Sequence, residues 1–499
     1  MQIDQGIGAM EDEIAFLSIA EAARRLSAGA LSSVDLVEAC LARCAAHEAK
    51  LNAWLHMDSE GACAAAQRAA SEMRAGRALG PLHGVPLGIK DLFDIAGMPT
   101  TWNSRLRGAP IASADAAVVQ QLRTSRAILL GKLAAWECGV GGASFTLPWP
   151  PTRNPWGFDR DPGGSSSGSA AAVAAGLCFG AVGSDTGGSI REPASWCGVV
   201  GLKPTFGLVD CAGGLAASFS FDHVGPMARS SEDCAVMLDA MTGDISAAAT
   251  LGAGVNGVRI GVVDLGGEEQ LDLDSEVAAA LGAASEALAQ AGARLAPVRL
   301  PRLELFSAVI AVAAAAEGFA LHRRWLATSS HLYDPLTRQR LRVGERIRAC
   351  DYVDALRARQ RLTDAVAVIF ADHDLLLMPT TRTPAPMLGS FDSHGGHPSL
   401  CRPWNVTGYP ALSTPCGFSR VGLPLAVQIV ARPREDALAL CAGQALETEL
   451  GPRARPPAAD SNAASAPDPI SAQGEDAAID ALARITERAA SLLRSSAAI

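Results

Sequence analysis

The chain has 499 residues, of which 49% are hydrophobic and 19% charged, so it can bury a large core. Its 42 basic and 52 acidic residues leave a net charge of −10, which argues against nucleic acid as a main partner because phosphate binding needs a basic surface. No uninterrupted apolar run approaches the ~18 residues of a membrane span, and the acidic N-terminal stretch lacks the basic start of a signal peptide. These features predict a cytoplasmic protein without a membrane partner.

Helices and strands alternate along the chain, which is typical of α/β proteins. The apolar spacing predicts helices over 18–28, 33–46, 60–76, 116–122, 170–175, 232–241, 274–291 and 436–450. It predicts buried strands over 84–90, 127–130, 258–263, 375–378 and 425–430. Residues 302–370 are rich in helix formers and arginine. Residues 451–475, rich in Pro, Ala and Ser, are predicted to be a disordered linker before a last amphipathic helix over 476–494.

The 12 cysteines are scattered, with no C-x-x-C pair and no spacing typical of metal ligands. They are predicted to be reduced thiols, as in most cytoplasmic proteins. The chain contains neither a G-K-[ST] phosphate loop nor a G-x-G-x-x-G that opens a helix. No metal and no organic cofactor is therefore expected.

Two Gly/Ser-rich segments stand out, at 163–169 (GGSSSGS) and 183–189 (GSDTGGS). Glycine lets the backbone point bare N–H groups at a ligand from close range, and serine supplies hydroxyls. A flexible linker has a similar composition, but the apolar runs that flank these segments disfavour that interpretation. Together the segments predict a hydroxyl nucleophile that faces an anion-binding set of amides.

The first segment contains G-x-S-x-G at 164–168, the spelling of the nucleophile elbow of α/β-hydrolases. That motif needs a buried strand directly before it, whereas residues 154–162 (NPWGFDRDP) are polar and turn-forming. The second segment fits a nucleophile better. Its successive amides at Thr186, Gly187, Gly188 and Ser189 could form an oxyanion hole beside the Ser189 hydroxyl.

A serine nucleophile needs a base, and none of the nine histidines lies in a motif that indicates a partner. Only four of the 42 basic residues are lysines, and one of them, Lys90, ends the apolar stretch 84–90 (GVPLGIK). Burial disfavours the charged form of a lysine and lowers its pKa, so Lys90 is the candidate base. The alternative is a structural ion pair between Lys90 and Asp91 or Asp94.

Four segments together resemble the amidase signature family: 84–101 (GVPLGIKDLFDIAGMPTT), 162–176 (PGGSSSGSAAAVAAG), 183–207 (GSDTGGSIREPASWCGVVGLKPTFG) and 221–229 (FDHVGPMAR). Weaker similarity continues at 375–381, 405–418 and 422–433. The resemblance implies an α/β fold in one large domain over 1–450, with a central mixed, twisted β-sheet covered by helices on both faces. It also implies a helix-rich substrate entrance at about 302–404, ahead of the linker and the C-terminal segment 476–499.

That family uses a Ser–cis-Ser–Lys triad. The resemblance places the nucleophile on Ser189, the bridging serine on Ser165 after a cis Gly164–Ser165 peptide, and the base on Lys90. Neutral Lys90 would take a proton from Ser165, which takes one from Ser189 as Ser189 attacks the carbonyl. The resemblance assigns the oxyanion hole to the amides of Thr186, Gly187, Gly188 and Ser189. Supporting positions are expected at Ser166, Asp185 and Arg191.

The sequence departs from the family pattern at Ser167, where glycine is usual, and at Glu192, where an apolar residue is commoner. Glu192 could pair with Arg191 or face the substrate channel. The candidates for a substrate pocket are Trp102, Cys138, Glu192 and Trp196. For Trp102 and Trp196, the alternative to a place in the substrate pocket is packing against other side chains.

The resemblance predicts an amidase that hydrolyses the carbon–nitrogen bond of a small or aryl-substituted linear amide, and also esters or carbamates, through a serine acyl-enzyme. The expected partner is the small-molecule substrate alone, with the protein a monomer or homodimer. One alternative is the glutaminase-like subunit of a tRNA-dependent amidotransferase, which would need partner subunits. Another is a binding protein that kept the fold without catalysis. The retained Lys90, Ser165 and Ser189 argue against that.

Overall fold

A computed structural model of the chain describes residues 11–77, 80–265, 273–389, 399–457 and 484–494. The α-helices, numbered α1 to α14 in chain order, are Ile19–Ser27, Ser33–Leu51, Ser59–Arg74, Ala117–Thr124, Ser167–Ala174, Arg191–Cys197, Ser231–Thr242, Ser246–Thr250, Ser275–Gln290, Leu303–Thr328, Pro335–Val343, Ala349–Asp372, Arg402–Thr407 and Asp436–Leu450. Short helical stretches at 11–15 and 484–494 stand outside this numbering.

Within the described ranges, eleven strands form one sheet in the order β1-β3-β2-β4-β6-β5-β10-β11-β9-β7-β8. From β1 to β11 they are Trp54–Met57, Pro86–Lys90, Ile128–Leu133, Gly180–Asp185, Val200–Lys203, His223–Ala228, Arg259–Val263, Arg294–Val298, Leu375–Pro379, Ala411–Phe418 and Pro424–Ala431. Strand β2 runs parallel to β3 and β4, and β7 runs parallel to β8 and β9, while the other neighbours are antiparallel. The sheet is therefore mixed and flanked by helices, so the predicted α/β fold is confirmed.

The central strands are buried on both faces because helices pack against each side of the sheet. Every residue of β2, β3, β9 and β11 is buried. The two edge strands are not: β1 is half-buried throughout, and β8 exposes Arg294, Ala296 and Pro297. The sequence prediction missed both edge strands, since neither carries the continuous apolar run of a buried strand, and it also missed the interior strands β5, β6 and β10.

Helix α5 begins three residues earlier than its sequence pattern predicts, at Ser167 instead of 170. Ser166 is its N-cap residue, so the first Gly/Ser-rich segment runs directly into the helix. All eight residues of α5 are buried, which their small side chains allow. The helix therefore anchors the segment that precedes it.

Helix α10 (Leu303–Thr328) is, in the described part of the chain, the one helix long and apolar enough to cross a membrane by length and composition. The sequence analysis predicts no segment long and apolar enough to cross a membrane. Of the most apolar window of α10, 56% is buried inside the protein, as for a core helix. It packs with α12 in a second hydrophobic cluster around Phe306, Leu362 and Trp404.

The C-terminal segment is described only in part. Most of the predicted linker, and residues 476–483 of the predicted last helix, lie outside the described residues. Residues 484–494 are helical, and they bury Ala489, Ala490 and Leu493 in the cluster that α10 and α12 share. Arg494 adds an ion pair with Asp351 of α12. This helix therefore docks on the chain's own core.

Candidate active site

The two Gly/Ser-rich segments meet at the carboxyl ends of β2 and β4, which run side by side and parallel. Strand β2 ends at Lys90 and β4 ends at Asp185. The carboxyl ends of parallel strands are where ligands bind in α/β sheets, because the connecting loops there converge on a crevice. The first segment enters this region through Ser165 and Ser166, directly before α5.

Lys90 is completely buried, and its ammonium nitrogen contacts hydroxyls rather than carboxylates. Its Nζ donates to Ser165 Oγ at 2.8 Å, to Ser166 Oγ at 2.9 Å and to Ser184 Oγ at 2.9 Å. Burial lowers the pKa of Lys90 from 10.5 to about 7, although Asp185 and Asp222 oppose that shift. A large share of Lys90 is therefore neutral near pH 7.

The alternative ion pairs of Lys90 are absent from the described structure. Asp91 contacts Lys132 at 2.7 Å, and Asp94 contacts Arg107 at 3.2 Å. Both carboxylates that neighbour Lys90 in sequence thus have other cations. The expected alternative, an ion pair of Lys90 with Asp91 or Asp94, is therefore not formed.

Ser165 follows a cis peptide bond with Gly164, as the family resemblance implies. A side chain at 164 has no room, since its Cβ would lie 2.1 Å from Cε2 of Trp136. The Ser165 carbonyl accepts from the Trp136 N–H at 3.1 Å. Ser165 is only 1% exposed, so its hydroxyl is shielded from water while it contacts Lys90.

Ser166 joins the two Gly/Ser-rich segments. Its hydroxyl donates to the Ser184 carbonyl at 3.1 Å and accepts from the Ser184 N–H at 3.3 Å. Its own N–H donates to the Ser189 carbonyl at 3.2 Å. These bonds hold half-buried Ser189 beside the cis peptide, so the structure brings Lys90, Ser165 and Ser189 into one site.

The loop after β4 is shaped by the Asp185 carboxylate, which accepts from Gly188 N–H at 2.7 Å and from Ile190 N–H at 3.2 Å. The Gly188 amide is thus occupied, whereas the amides of Thr186, Gly187 and Ser189 have no hydrogen-bond partner among the described residues. Gly188 has φ +129°, and a Cβ there would meet Cys401 at 2.9 Å. Of the four amides expected to form the oxyanion hole, three are therefore free to donate to a ligand.

Arg191 holds this loop in place through its hydrogen bonds, and it is completely buried. Its guanidinium donates to both oxygens of Asp185 at 3.0 and 3.1 Å, to the Asn405 side-chain oxygen at 2.7 Å and to the Gln428 side-chain oxygen at 3.0 Å. It also donates to the Cys401 carbonyl at 3.0 Å. Burial by itself would raise the pKa of Asp185, but Arg191 and these hydrogen bonds hold that pKa well below its usual range.

We expect Arg191→Met to destabilise the fold strongly. It would remove the cation that pairs with the buried Asp185 carboxylate, and breaking a buried ion pair in this way costs about 3–5 kcal/mol. Urea unfolding followed by circular dichroism measures this loss. The matched control is Arg420→Met, since the Arg420 side chain is 90% exposed in its ion pair with Glu276 and the free energy of unfolding should change by less than about 1 kcal/mol. Equal losses in both variants would contradict the assigned role.

The sequence motifs do not reveal several members of this site. Ser184 contacts Lys90, Asp222 accepts from the Thr186 hydroxyl at 2.5 Å, and Asn405 and Gln428 complete the Arg191 cluster. The first two lie inside segments that carried the family resemblance, at 183–207 and 221–229. Asn405 and Gln428 lie in the weaker segments, where only tertiary structure shows which side chains face the site.

The four candidates for the substrate pocket do not line the cavity that opens beside Ser184. Trp196 is 2% exposed, donates to the Thr383 carbonyl and packs with Ala385 and Leu423. Cys138 is buried against Tyr333 and Leu341. Trp102 stacks edge-on with Trp325. All three therefore make packing contacts, and their role in a substrate pocket stays a prediction.

Glu192 makes no hydrogen bond with Arg191 among the described residues, although its charge acts on the Arg191 guanidinium. The hydrogen bonds of Arg191 go to Asp185, Asn405, Gln428 and Cys401 instead, and Glu192 is absent from the lining of the cavity. Burial raises the pKa of Glu192 to about 8, and the Asp161 carboxylate adds to this shift, while the Gly164 N–H and Arg402 oppose it. Glu192 therefore lies near the turn that precedes Ser165.

A cavity of about 540 Å³ opens next to the hydroxyls of Ser184 and Thr186. Its walls come mainly from the segment 206–224, including Phe206, Phe219, Asp222 and His223. Burial raises the pKa of Asp222 to about 6. Among the described residues, no group of three or more His, Cys, Asp or Glu side chains is placed to hold a metal ion. The cavity can hold a small molecule against the loop that carries Ser189.

Known proteins resemble this chain over most of its length. The A subunit of glutamyl-tRNA(Gln) amidotransferase from Chloroflexus aggregans is 36% identical over 476 residues, 87% of this chain and 96% of that protein. A chain of a vestigial protein complex, connected with the origins of an s-triazine catabolic enzyme, has a TM-score of 0.81 at 35% identity and covers 87% and 98% of the two chains. The amidotransferase A subunit from Thermotoga maritima has a TM-score of 0.72 at 28% identity, over 87% and 95%.

These comparisons correct two expectations. Relatives that are 35–36% identical over 85–89% of the chain are named as the A subunit of this amidotransferase, so the expectation of an amidase for small or aryl-substituted amides, esters or carbamates is wrong. The expectation of a monomer or homodimer without nucleic acid is contradicted by the same names, which denote one subunit of an enzyme for glutamyl-tRNA(Gln). The sequence motifs could not separate these cases, because they encode acyl-transfer chemistry common to both.

The family itself is shown by both kinds of comparison. A family model described as Amidase matches residues 35–440, which include Lys90 and both Gly/Ser-rich segments. Solved structures, one of them described as an amidase, superpose on the chain with TM-scores between 0.72 and 0.81. The chain belongs to the amidase family, known by its amidase signature, and it is an enzyme that acts on the carbon–nitrogen bonds of amides.

Proposed function

We propose that this chain is the glutaminase-like subunit of a tRNA-dependent amidotransferase. It would release ammonia from the side-chain amide of glutamine for use by partner subunits. The observation that carries the chemistry is the contact of buried Lys90 Nζ with Ser165 Oγ at 2.8 Å, beside the loop that bears Ser189. The observation that favours a partner-bound enzyme is the similarity to the amidotransferase A subunit, which extends along 87% of the chain.

The proposed reaction uses a two-step proton relay. Neutral Lys90 accepts the Ser165 proton, and Ser165 accepts the Ser189 proton as Ser189 Oγ forms a bond to the amide carbon. The negative charge on the carbonyl oxygen is stabilised by the amides of Thr186, Gly187 and Ser189. The proton returns through Ser165 to the leaving nitrogen, the carbon–nitrogen bond breaks, and ammonia departs.

Water then completes the cycle. It attacks the acyl carbon on Ser189 and gives a proton to the same relay, which releases glutamate and restores the Ser189 hydroxyl. One amide and one water thus yield one carboxylic acid and one ammonia. The pKa of about 7 for Lys90 lets it accept and return a proton near neutral pH.

A tRNA-linked role is compatible with the acidic composition of the chain. The net charge of −10 describes this chain and not an assembly in which partner subunits supply the basic surface for tRNA. We place the enzyme in the cytoplasm, where aminoacyl-tRNA is available.

The direct test is glutamine-dependent ammonia release, measured with the purified chain alone and with the chain co-purified with partner subunits. We expect release in the assembly, together with glutamine-dependent conversion of glutamyl-tRNA(Gln) to glutaminyl-tRNA(Gln). The matched control is the same assembly with Ser189→Ala, which should form but release no ammonia. Rapid hydrolysis of anilides or peptide amides, with no turnover of glutamine in either preparation, would contradict the proposal.

A further inference from the structure

A second buried lysine lies beside the proposed base. Lys132 on β3 is 0% exposed, and its Nζ lies 2.7 Å from Asp91 Oδ1 and 2.7 Å from Thr100 Oγ1, with the Pro99 carbonyl at 3.4 Å. Asp91 follows Lys90 directly in sequence and is also 0% exposed. The proposed mechanism does not use this ion pair, yet it adjoins the residue that carries the mechanism.

The strand register forces this adjacency. In the parallel pairing of β2 and β3, Ile89 lies opposite Lys132 and Lys90 lies opposite Leu133, and the Asp91 N–H donates to the Leu133 carbonyl at 2.9 Å. The second oxygen of Asp91 accepts from the N–H and hydroxyl of Thr101, at 2.9 and 2.5 Å. The Asp91 carboxylate is thus held against Lys132 and does not contact Lys90.

The other carboxylates around Lys90 are also occupied. Asp185 is paired with Arg191 and Asp94 with Arg107, whereas Asp222 accepts hydrogen bonds from the Thr186 hydroxyl and from the N–H groups of Ala217 and Ser218. The groups in contact with Lys90 Nζ are the hydroxyls of Ser165, Ser166 and Ser184. Asp94 and Arg107 are the further charges that act on Lys132.

A buried carboxylate without a counter-charge favours the charged form of a nearby lysine. If Lys132 were absent, Asp91 would be such a carboxylate, one residue away from the proposed base. Charged Lys90 has no lone pair and cannot accept the Ser165 proton. The ion pair therefore protects the neutral state that the reaction needs.

We propose that Lys132 is a positioning residue for the reaction, which holds the Asp91 carboxylate away from Lys90 and so keeps Lys90 available as a base. The inference rests on the proposed role of Lys90 in the relay. It does not depend on the identity of the amide substrate.

The test is the second-order rate of Ser189 labelling by a fluorophosphonate from pH 5 to 9.5, because this reaction needs the base but no physiological substrate. For Lys132→Met we expect the rise of the rate to move up by about one pH unit, so that labelling near pH 6 falls about tenfold, as the neutral fraction of the base does. Lys132→Arg keeps the charge and should restore most of the wild-type profile. Lys132→Met with Asp91→Asn removes both charges and should return the midpoint toward wild type.

Asp91→Asn alone provides a test with the opposite sign, which remains usable if Lys132→Met does not fold. It leaves Lys132 as the unpaired charge, so the midpoint should move to lower pH. A midpoint unchanged in both single variants, or a rate lowered equally at every pH, would overturn the inference and leave Lys132 a structural role only. Failure of the proposed relay is a separate result, since Lys90→Met would then be labelled as fast as wild type.

Discussion

Ser189→Ala is expected to lower glutamine-dependent ammonia release by at least about 10³-fold, because the relay then lacks the hydroxyl that forms the acyl-enzyme. The fold should persist. Ser189 is half-buried, and its contact with the first Gly/Ser-rich segment is made by its carbonyl, which alanine keeps. Steady-state kinetics and the thermal midpoint, measured on the same preparation, separate the two effects.

Ser167→Ala is the matched control for that variant. Ser167 also belongs to a Gly/Ser-rich segment, but it is the first residue of α5. Lys90 donates to the hydroxyls of Ser165, Ser166 and Ser184 and not to that of Ser167. We expect its activity to stay within a few-fold of wild type. Fluorophosphonate labelling followed by peptide mass spectrometry should mark Ser189 in the control and nothing in Ser189→Ala. A label on Ser165 would move the nucleophile to the first segment and refute the assignment.

The part of the core with a local pattern was predictable, whereas the interior strands β5, β6 and β10, which are short or interrupted by Gly and Pro, were not. Buried strands such as β2, β9 and β11 are continuous apolar runs, and the helices between them have 3.6-residue periodicity. The edge strands β1 and β8 escaped prediction, since an edge strand needs neither a continuous apolar run nor strict alternation. The predicted start of α5 was three residues late because the helix begins with Ser-Gly-Ser, which lacks the apolar spacing on which the prediction depends.

The sequence motifs predict which residues come together at the candidate site better than they predict what surrounds them. Lys90, Ser165 and Ser189 lie within compact motifs, and the structure brings their segments together. The Asp185–Arg191–Asn405–Gln428 cluster joins residues up to 243 positions apart, and only the sheet order makes them neighbours. Trp102, Cys138 and Trp196 make packing contacts and lie outside the lining of the cavity beside Ser184, because a large side chain near a motif packs against the core as readily as it lines a cavity.

The function prediction was wrong for a different reason. The motifs report how the enzyme breaks an amide bond, and they carry no information on whether ammonia is released to water or delivered to a partner. The segment 206–224, which forms most of the cavity wall, is where substrate choice would be encoded, and its loop residues follow no periodicity that sequence reasoning can interpret.

Lys90→Met should remove activity and yet stabilise the protein. The loss of the base is expected to cost about 10²–10⁴-fold in rate. The pKa of Lys90 falls from 10.5 in the unfolded chain to about 7 in the fold, a difference that costs the folded state about 5 kcal/mol at low pH. Methionine avoids that cost, while three hydroxyls lose a partner at about 1 kcal/mol each, so the net gain is about 2 kcal/mol.

The pH dependence of this gain follows from which state binds the proton. Between pH 7 and 10.5 the unfolded chain holds the Lys90 proton and the folded chain does not, so wild-type stability rises with pH across this window relative to the variant. Urea unfolding should therefore show Lys90→Met to be more stable than wild type at pH 6.5, with the difference shrinking or reversing at pH 9.5. A variant that is inactive and also less stable at pH 6.5 would mean that Lys90 is charged and structurally paired, and the relay would lose its base.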